Sequence, residues 1–162
     1  MSFDSPNSPQ NLAISNVAAL KVPPHSVDAE QAVLGGLMLD NTEWDNLADV
    51  LLPEDFYRPE HQIIFRVMSQ QSEDRSPIDV VTLMGSLNSL NELESAGGIE
   101  YLSELTDNAR GTANIHAYAE IIRERAILRR LISVANGIAN SGYNTGGKKA
   151  AVVLDEAEQE VF

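Results

Sequence analysis

The eight residues Gly142 to Lys149, GYNTGGKK, are the stretch of this chain whose types and spacing most resemble a chemical device. They satisfy G-x-x-x-x-G-K, the spacing at which backbone N–H groups cradle phosphates and a lysine reaches the outer ones. Lys148 is followed by Lys149, however, and not by the Ser or Thr that would hold Mg²⁺. A phosphate loop also leaves a buried strand, whereas a helical apolar pattern precedes this one. The stretch therefore reads as a turn between two helices. His25, His61 and His116 have no His or Cys neighbour at metal-ligand spacing, and the chain contains no cysteine, so a shared metal site and disulfides are not expected. No Ser/His/Asp order matches a local nucleophile signature such as G-x-S-x-G. Most of the carboxylates read as solvated helix faces. The chain thus offers no catalytic, cofactor-binding or metal-binding residue, and an enzyme is not expected.

Arg123, Arg125, Arg129 and Arg130 hold four of the eleven basic residues. Pairing with Glu120 and Glu124 one turn away is the expected use, with DNA contact the alternative. A net charge of −13 argues against a broad nucleic-acid-binding surface, which needs clustered Lys and Arg, and favours partners with basic patches. At 162 residues and 43% hydrophobic, the chain has enough material for one domain with a sizeable core. MSFDSPNSPQ lacks the basic and apolar regions of a signal peptide, and no apolar run approaches the ~18 residues of a membrane span. A cytoplasmic protein with no membrane partner is expected.

The element that must organise the rest is Gly111 to Asn140, which reads as one helix of about 28 residues, or roughly 40 Å of rod. That is about the width of a compact domain of this chain length. In its first half Ile115, Tyr118, Ala119, Ile121, Ile122 and Ala126 share one arc, opposite Glu120, Arg123 and Glu124. In its second half the apolar set is Ile127, Leu128, Leu131, Ile132, Val134, Ala135, Ile138 and Ala139, largely on the other side. A straight helix with two apolar faces needs two neighbours. The first half is expected to dock on its own head, and the second to pack in a helical hairpin and against another subunit, with a single long helix crossing one large core the alternative. Thr112 is the expected cap.

The class is all-α, a globular helical head joined to a long antiparallel helical hairpin. Residues 1–22, rich in Ser, Asn and Pro, read as a disordered tail. The head, 23–110, opens with a helix capped by Ser26 and buried through Val27, Leu34, Leu37 and Met38. Close approach of another helix would account for its Gly35–Gly36 pair, with a helix break the alternative. Thr42 is expected to cap a second helix with Trp44, Leu47, Val50 and Leu51, and Pro53 to end it. Pro59 starts a third, buried through Ile63, Ile64, Val67 and Met68. Asp79 caps a fourth, with Val81, Met84 and Leu87 apolar. A fifth follows Gly97–Gly98 with Ile99, Tyr101, Leu102 and Leu105. The hairpin, 111–162, returns through Ala150, Leu154, Ala157 and Val161. The pattern stops at Phe162 without a helix stop, so a fragment of a longer protein is expected.

Six ordered blocks resemble the bacterial DnaB-type replicative DNA helicases: LKVPPHSVDAEQAVLGGLMLDN (Leu20–Asn41), DFYRPEHQIIF (Asp55–Phe65), PIDVVTL (Pro77–Leu83), GGIEYLSEL (Gly97–Leu105), ANIHAYAEIIRERAILRRLISVANGIA (Ala113–Ala139) and DEAEQEVF (Asp155–Phe162). The resemblance covers nearly everything after residue 20 and is to the N-terminal domain alone. It implies that ATP and Mg²⁺ belong to a separate RecA-like motor domain, so that this fragment needs no cofactor. It implies that the hairpins pair into dimers and that three dimers form the collar of a hexamer encircling single-stranded DNA. It further implies that the collar recruits primase through primase's C-terminal helicase-binding domain, with a helicase loader as another candidate partner.

From the apolar pattern, Ile127, Leu128, Leu131, Ile132, Val134 and Ile138, with Leu154 and Val161 on the returning helix, are the expected oligomer interface. With the resemblance placing primase where head and hairpin meet, Asp28, Tyr101, Ile132 and Ile138 are the expected partner-contact residues, Tyr101 as an exposed aromatic with a hydroxyl. The competing reading is a stand-alone helical adaptor or regulatory protein without a motor.

Overall fold

The computed structural model describes residues 21–111 and 114–162. Nearly all of the expected tail, and Thr112 as a cap, lie outside them. Among the described residues seven α-helices follow one another: α1 Val27–Leu39, α2 Trp44–Ala48, α3 Pro59–Glu73, α4 Val80–Ser89, α5 Gly98–Ala109, α6 Ile115–Tyr143 and α7 Ala150–Val161. Short 3-10 turns, Asn41–Glu43 and Pro53–Asp55, flank α2. The described residues contain no strand.

The helix starts obey local capping chemistry. The Ala29 N–H donates to the Ser26 hydroxyl at 3.3 Å. Asp79 accepts from the Thr82 N–H at 2.9 Å while Thr82 Oγ1 accepts from the Asp79 N–H at 3.0 Å, a reciprocal capping box. Pro59 stands in the first turn of α3. The turn before α2 is capped by Asp40 and not by the expected Thr42. Asp40 accepts from the Thr42 hydroxyl at 2.5 Å and its N–H at 3.0 Å, and these bonds hold the Asp40 carboxyl below its usual range. For α6 the cap is Asn114, which accepts from the Ala117 N–H at 3.2 Å.

The core lies among α1, α3, α4, α5 and the first half of α6. Leu34, Leu37, Ile64, Phe65, Met68, Leu83, Leu87, Leu102 and Leu105 are fully buried, as are Ala119 and Ile122 on α6. α1 and α5 touch at Gly35. A Cβ there would stand 2.6 Å from the Ala109 Cβ and hard against the Leu105 carbonyl, so only glycine permits this approach. Two apolar residues of the expected fourth and fifth helices point outward. Val81 is 71% exposed, because the buried face of α4 runs through Leu83 and Leu87, and two steps of about 100° carry Val81 to the opposite side. Ile99, on the first turn of α5, is also exposed.

The hairpin forms, but α7 is rotated from its expected seat. Val153 and Ala157 are its half-buried residues, whereas Ala150, Leu154 and Val161 face solvent. Glu160 reaches the surface of Gly137, where a Cβ would meet its carboxylate at 3.5 Å. The α7 seam thus lies beside Gly137, and the residues of α6 from Ile127 to Ile132 lie more than a turn before it. The 29 residues of α6 span about 43 Å.

Candidate protein-docking site

Arg129 joins the second half of α6 to the head. Its guanidinium donates to the Pro24 carbonyl at 2.7 Å and the Asp55 carbonyl at 2.6 Å, and lies 5.5 Å from the centre of the Tyr57 ring. Tyr57 in turn stacks on His25 with ring centres 4.1 Å apart. Six residues earlier on α6, Arg123 donates to the Val50 carbonyl at 3.4 Å and sits 3.7 Å from the Asp55 carboxylate. The expected pairing of these arginines with Glu120 and Glu124 is therefore not what two of them do. They clamp the long helix to loop carbonyls that have no helical partner of their own, a role suited to the fork of donors on a guanidinium.

Beside this clamp a groove of about 500 Å³ runs between the start of the head and α6. Pro23, Tyr57, Arg129 and Ile132 form its apolar and cationic end, and Asn136 and Asn140 its polar wall. Ile132 is exposed at its edge.

A second cluster lies across the head. Glu30 on α1 and His61 on α3 are buried, and Tyr101 on α5 is half-buried. His61 Nδ1 and Glu30 Oε1 are 2.7 Å apart, and His61 Nε2 and the Tyr101 hydroxyl 2.5 Å. Gln31 Nε2 donates to the Tyr101 oxygen at 3.2 Å. The Glu30 carboxylate also accepts the backbone N–H groups of Tyr57 at 2.9 Å and Arg58 at 3.3 Å, just before α3. With Nδ1 donating and Nε2 accepting, His61 satisfies every member. Gln31 donates to Tyr101, Tyr101 to His61, and His61 to Glu30. Tyr101 is thus not the freely exposed residue expected from the sequence, since its hydroxyl is engaged by His61 and the two rings lie nearly in one plane. Nor is Glu30 part of a solvated face.

Of the other expected contact residues, Asp28 is exposed on the first turn of α1, three residues from Gln31 and so on the side of Tyr101. Ile132 lies in the groove, and Ile138 is half-buried one residue past Gly137. On the expected oligomer face Ile127 is 55% and Leu131 62% exposed, with Leu128 and Ile132 also open. Leu154 at 60% and Val161 at 59% are exposed on α7. Val134 is half-buried. The phosphate-loop-like stretch is a turn. Gly146 and Gly147 hold left-handed conformations at φ +62° and +80°, and Lys148 Nζ is 2.8 Å from the Glu156 carboxylate. The histidines are well separated in role, His116 pairing with Glu43 at 2.9 Å. Among the described residues no group of three or more His, Cys, Asp or Glu is arranged to hold a metal, and no helix is long and apolar enough to cross a membrane.

The sequence pattern held a signal for the buried cluster. Glu30 stands four and seven residues before Leu34 and Leu37, and His61 three and seven before Ile64 and Met68, so both fall on buried stripes. A charged residue on such a stripe calls for a partner. Arg129 carried no such signal, because its acceptors are main-chain carbonyls far off in sequence.

Residues 22–124 match the family model of the DnaB-like helicase N-terminal domain. The chain is 48% identical over 145 residues to the replicative DNA helicase DnaB of Haemophilus influenzae, covering 90% of this chain and 31% of that protein. It spans about a third of the length of the curated relatives it matches. Its fold is similar to the crystal structure of the N-terminal domain of DnaB helicase from Mycobacterium tuberculosis, with a TM-score of 0.83 and 35% identity over 86% of this chain and 98% of that one. It is also similar to the N-terminal domain of the Helicobacter pylori DnaB helicase, a structure described together with its interactions with primase, with a TM-score of 0.61 and 28% identity over 72% of this chain and 90% of that one.

Proposed function

The chain belongs to the DnaB-like helicase N-terminal domain family, and from that premise we propose that it dimerises through its helical hairpin and docks primase where head and hairpin meet. The observation that carries the reading is the apolar surface left open on the hairpin. Ile127, Leu128, Leu131 and Ile132, three and four residues apart, form a band on α6, and Leu154 and Val161 on α7 are open as well. Contiguous apolar surface of this kind on a water-facing helix marks an interface. The pairing 127, 131, 134, 138 repeats at four, three and four, the spacing of a helix seam.

In the longer protein that we infer, such dimers assemble as a collar on a hexameric, ATP- and Mg²⁺-dependent motor that encircles single-stranded DNA in the cytoplasm, with a loader as an additional partner. This chain supplies assembly and recruitment. The division into tail 1–22, head 23–110 and hairpin 111–162 is part of the same proposal, with the qualification that Ala119 and Ile122 belong to the core of the head. The groove beside Arg129 and the surface around Asp28 and Tyr101 are the proposed primase seat, with Ile138 beside them. A stand-alone adaptor, the competing reading, has no observation of its own in the fold.

The test is calorimetric titration of the primase C-terminal helicase-binding domain into this chain. Saturable binding is expected, weakened at least about tenfold by Ile132→Asp at unchanged helicity, because a charge enters an apolar contact without disturbing the head. Equal affinity for wild type and Ile132→Asp would overturn the groove as the seat.

A further inference from the structure

The two parts of the proposed docking surface, Tyr101 on α5 and the groove beside Arg129 on α6, lie on different elements, yet an unbroken series of polar contacts runs between them. Tyr101 bonds His61, His61 bonds Glu30, and Glu30 holds the backbone N–H of Tyr57, whose ring lies beneath Arg129. Arg129 then seats α6 on the Pro24 and Asp55 carbonyls. We propose that His61 and Glu30 are positioning residues that link Tyr101 to the seat of the long helix, so that a partner touching Tyr101 is sensitive to how the hairpin is held.

Three features of the geometry support the link. The inner members are buried, so water does not substitute for a lost bond. Each polar atom of the His61 ring has one partner, so a change at Tyr101 is not absorbed by a spare bond. The Glu30 carboxylate is shared between the imidazole and two consecutive N–H groups at the start of α3, so moving the imidazole also moves the backbone that carries Tyr57. The relay thus joins α1, α3, α5 and α6 through polar groups, two of them buried on the inner faces of α1 and α3. Coupling along the relay is read as non-additivity between its two ends.

The binding arm of the test rests on the primase-docking reading above, and the spectroscopic arm does not. Tyr101→Phe removes one hydroxyl and Arg129→Lys replaces the guanidinium fork, and both keep the packing volume, so both are made in the 162-residue chain labelled with ¹⁵N and ¹³C. Tyr101→Phe is expected to shift the amide resonances of Tyr57 and Arg58 and the side-chain N–H signals of Arg129. Arg129→Lys is expected to shift the ring signals of Tyr101. Shifts confined to the direct neighbours of each substitution would overturn the relay. In the binding arm the affinity of the primase domain is measured for wild type, both single variants and the double. The double variant is expected to depart from the product of the single effects by about fivefold. Effects that multiply would overturn the partner-sensing role. Long-range shifts in a chain that does not bind the primase domain would support the relay and remove the docking reading instead.

Discussion

Replacing Gly35 with alanine isolates the contact on which the head depends. In an open helix this change stabilises, because glycine costs about 1 kcal/mol relative to alanine. At Gly35 the new methyl would sit 2.6 Å from the Ala109 Cβ and collide with the Leu105 carbonyl, neither of which swings aside. Relief requires α1 and α5 to separate by about 1 Å, since carbon atoms rest near 3.5–4.0 Å. Overpacking of this kind costs about 1–3 kcal/mol, and the loosened core around Leu34 and Leu102 adds to it, so the methyl outweighs the propensity gain. Gly35→Ala should therefore destabilise by about 1–2 kcal/mol net, or several degrees in Tm. Gly85, within α4, has nothing within 4 Å of where its Cβ would stand, so Gly85→Ala should stabilise by about 0.4–1 kcal/mol. Urea unfolding followed by far-UV circular dichroism reads both. If Gly35→Ala is as stable as wild type, the close approach of α1 to α5 is wrong, and with it the placement of Gln31 against Tyr101.

Ile122→Ala should cost about 2–5 kcal/mol in the same assay, since Ile122 is buried where α6 meets the head, and a loss within error would misplace that docking face. Calorimetric titration with Mg-ATP should be flat, because the Gly142–Lys149 turn commits Lys148 to Glu156; micromolar binding abolished by Lys148→Ala would show that the turn holds phosphate after all. Fluorescence anisotropy with single-stranded DNA at physiological salt should show weak binding or none, given a net charge of −13 and two of the four clustered arginines already bound to the head; submicromolar affinity with a steep salt slope would refute this.

What was legible in the sequence was what neighbouring residues decide. Asp79 and Thr82 sit three apart, and their capping box is readable from that spacing. The Gly35–Gly36 pair announces a close helix, and Leu105 and Ala109 supply it. The switch of apolar arc near Ala126 separates the half of α6 that is buried on the head from the half that is open. What was not legible is what distant groups decide. Arg129 looks like a surface partner for glutamates one turn away, yet two loop carbonyls more than seventy residues off claim it. Tyr101 looks free until His61, forty residues earlier, is folded against it. Val81 and Leu83 are both apolar, and only the side from which α3 and α5 approach determines which is buried. The rotation of α7 is of the same kind, because Val153 and Leu154 differ by a single 100° step.

Sedimentation equilibrium of this chain, with and without Leu131→Glu, tests the central claim most directly. Leu131 is 62% exposed, so a glutamate there costs the monomer little. In the interface it would bury an unpaired charge. Wild type should approach twice 17.7 kDa as concentration rises through the micromolar range, and Leu131→Glu should remain at 17.7 kDa with full helicity. A Leu131→Glu chain that stays folded and dimeric, or a wild-type chain that stays monomeric throughout, would contradict assembly through the hairpin.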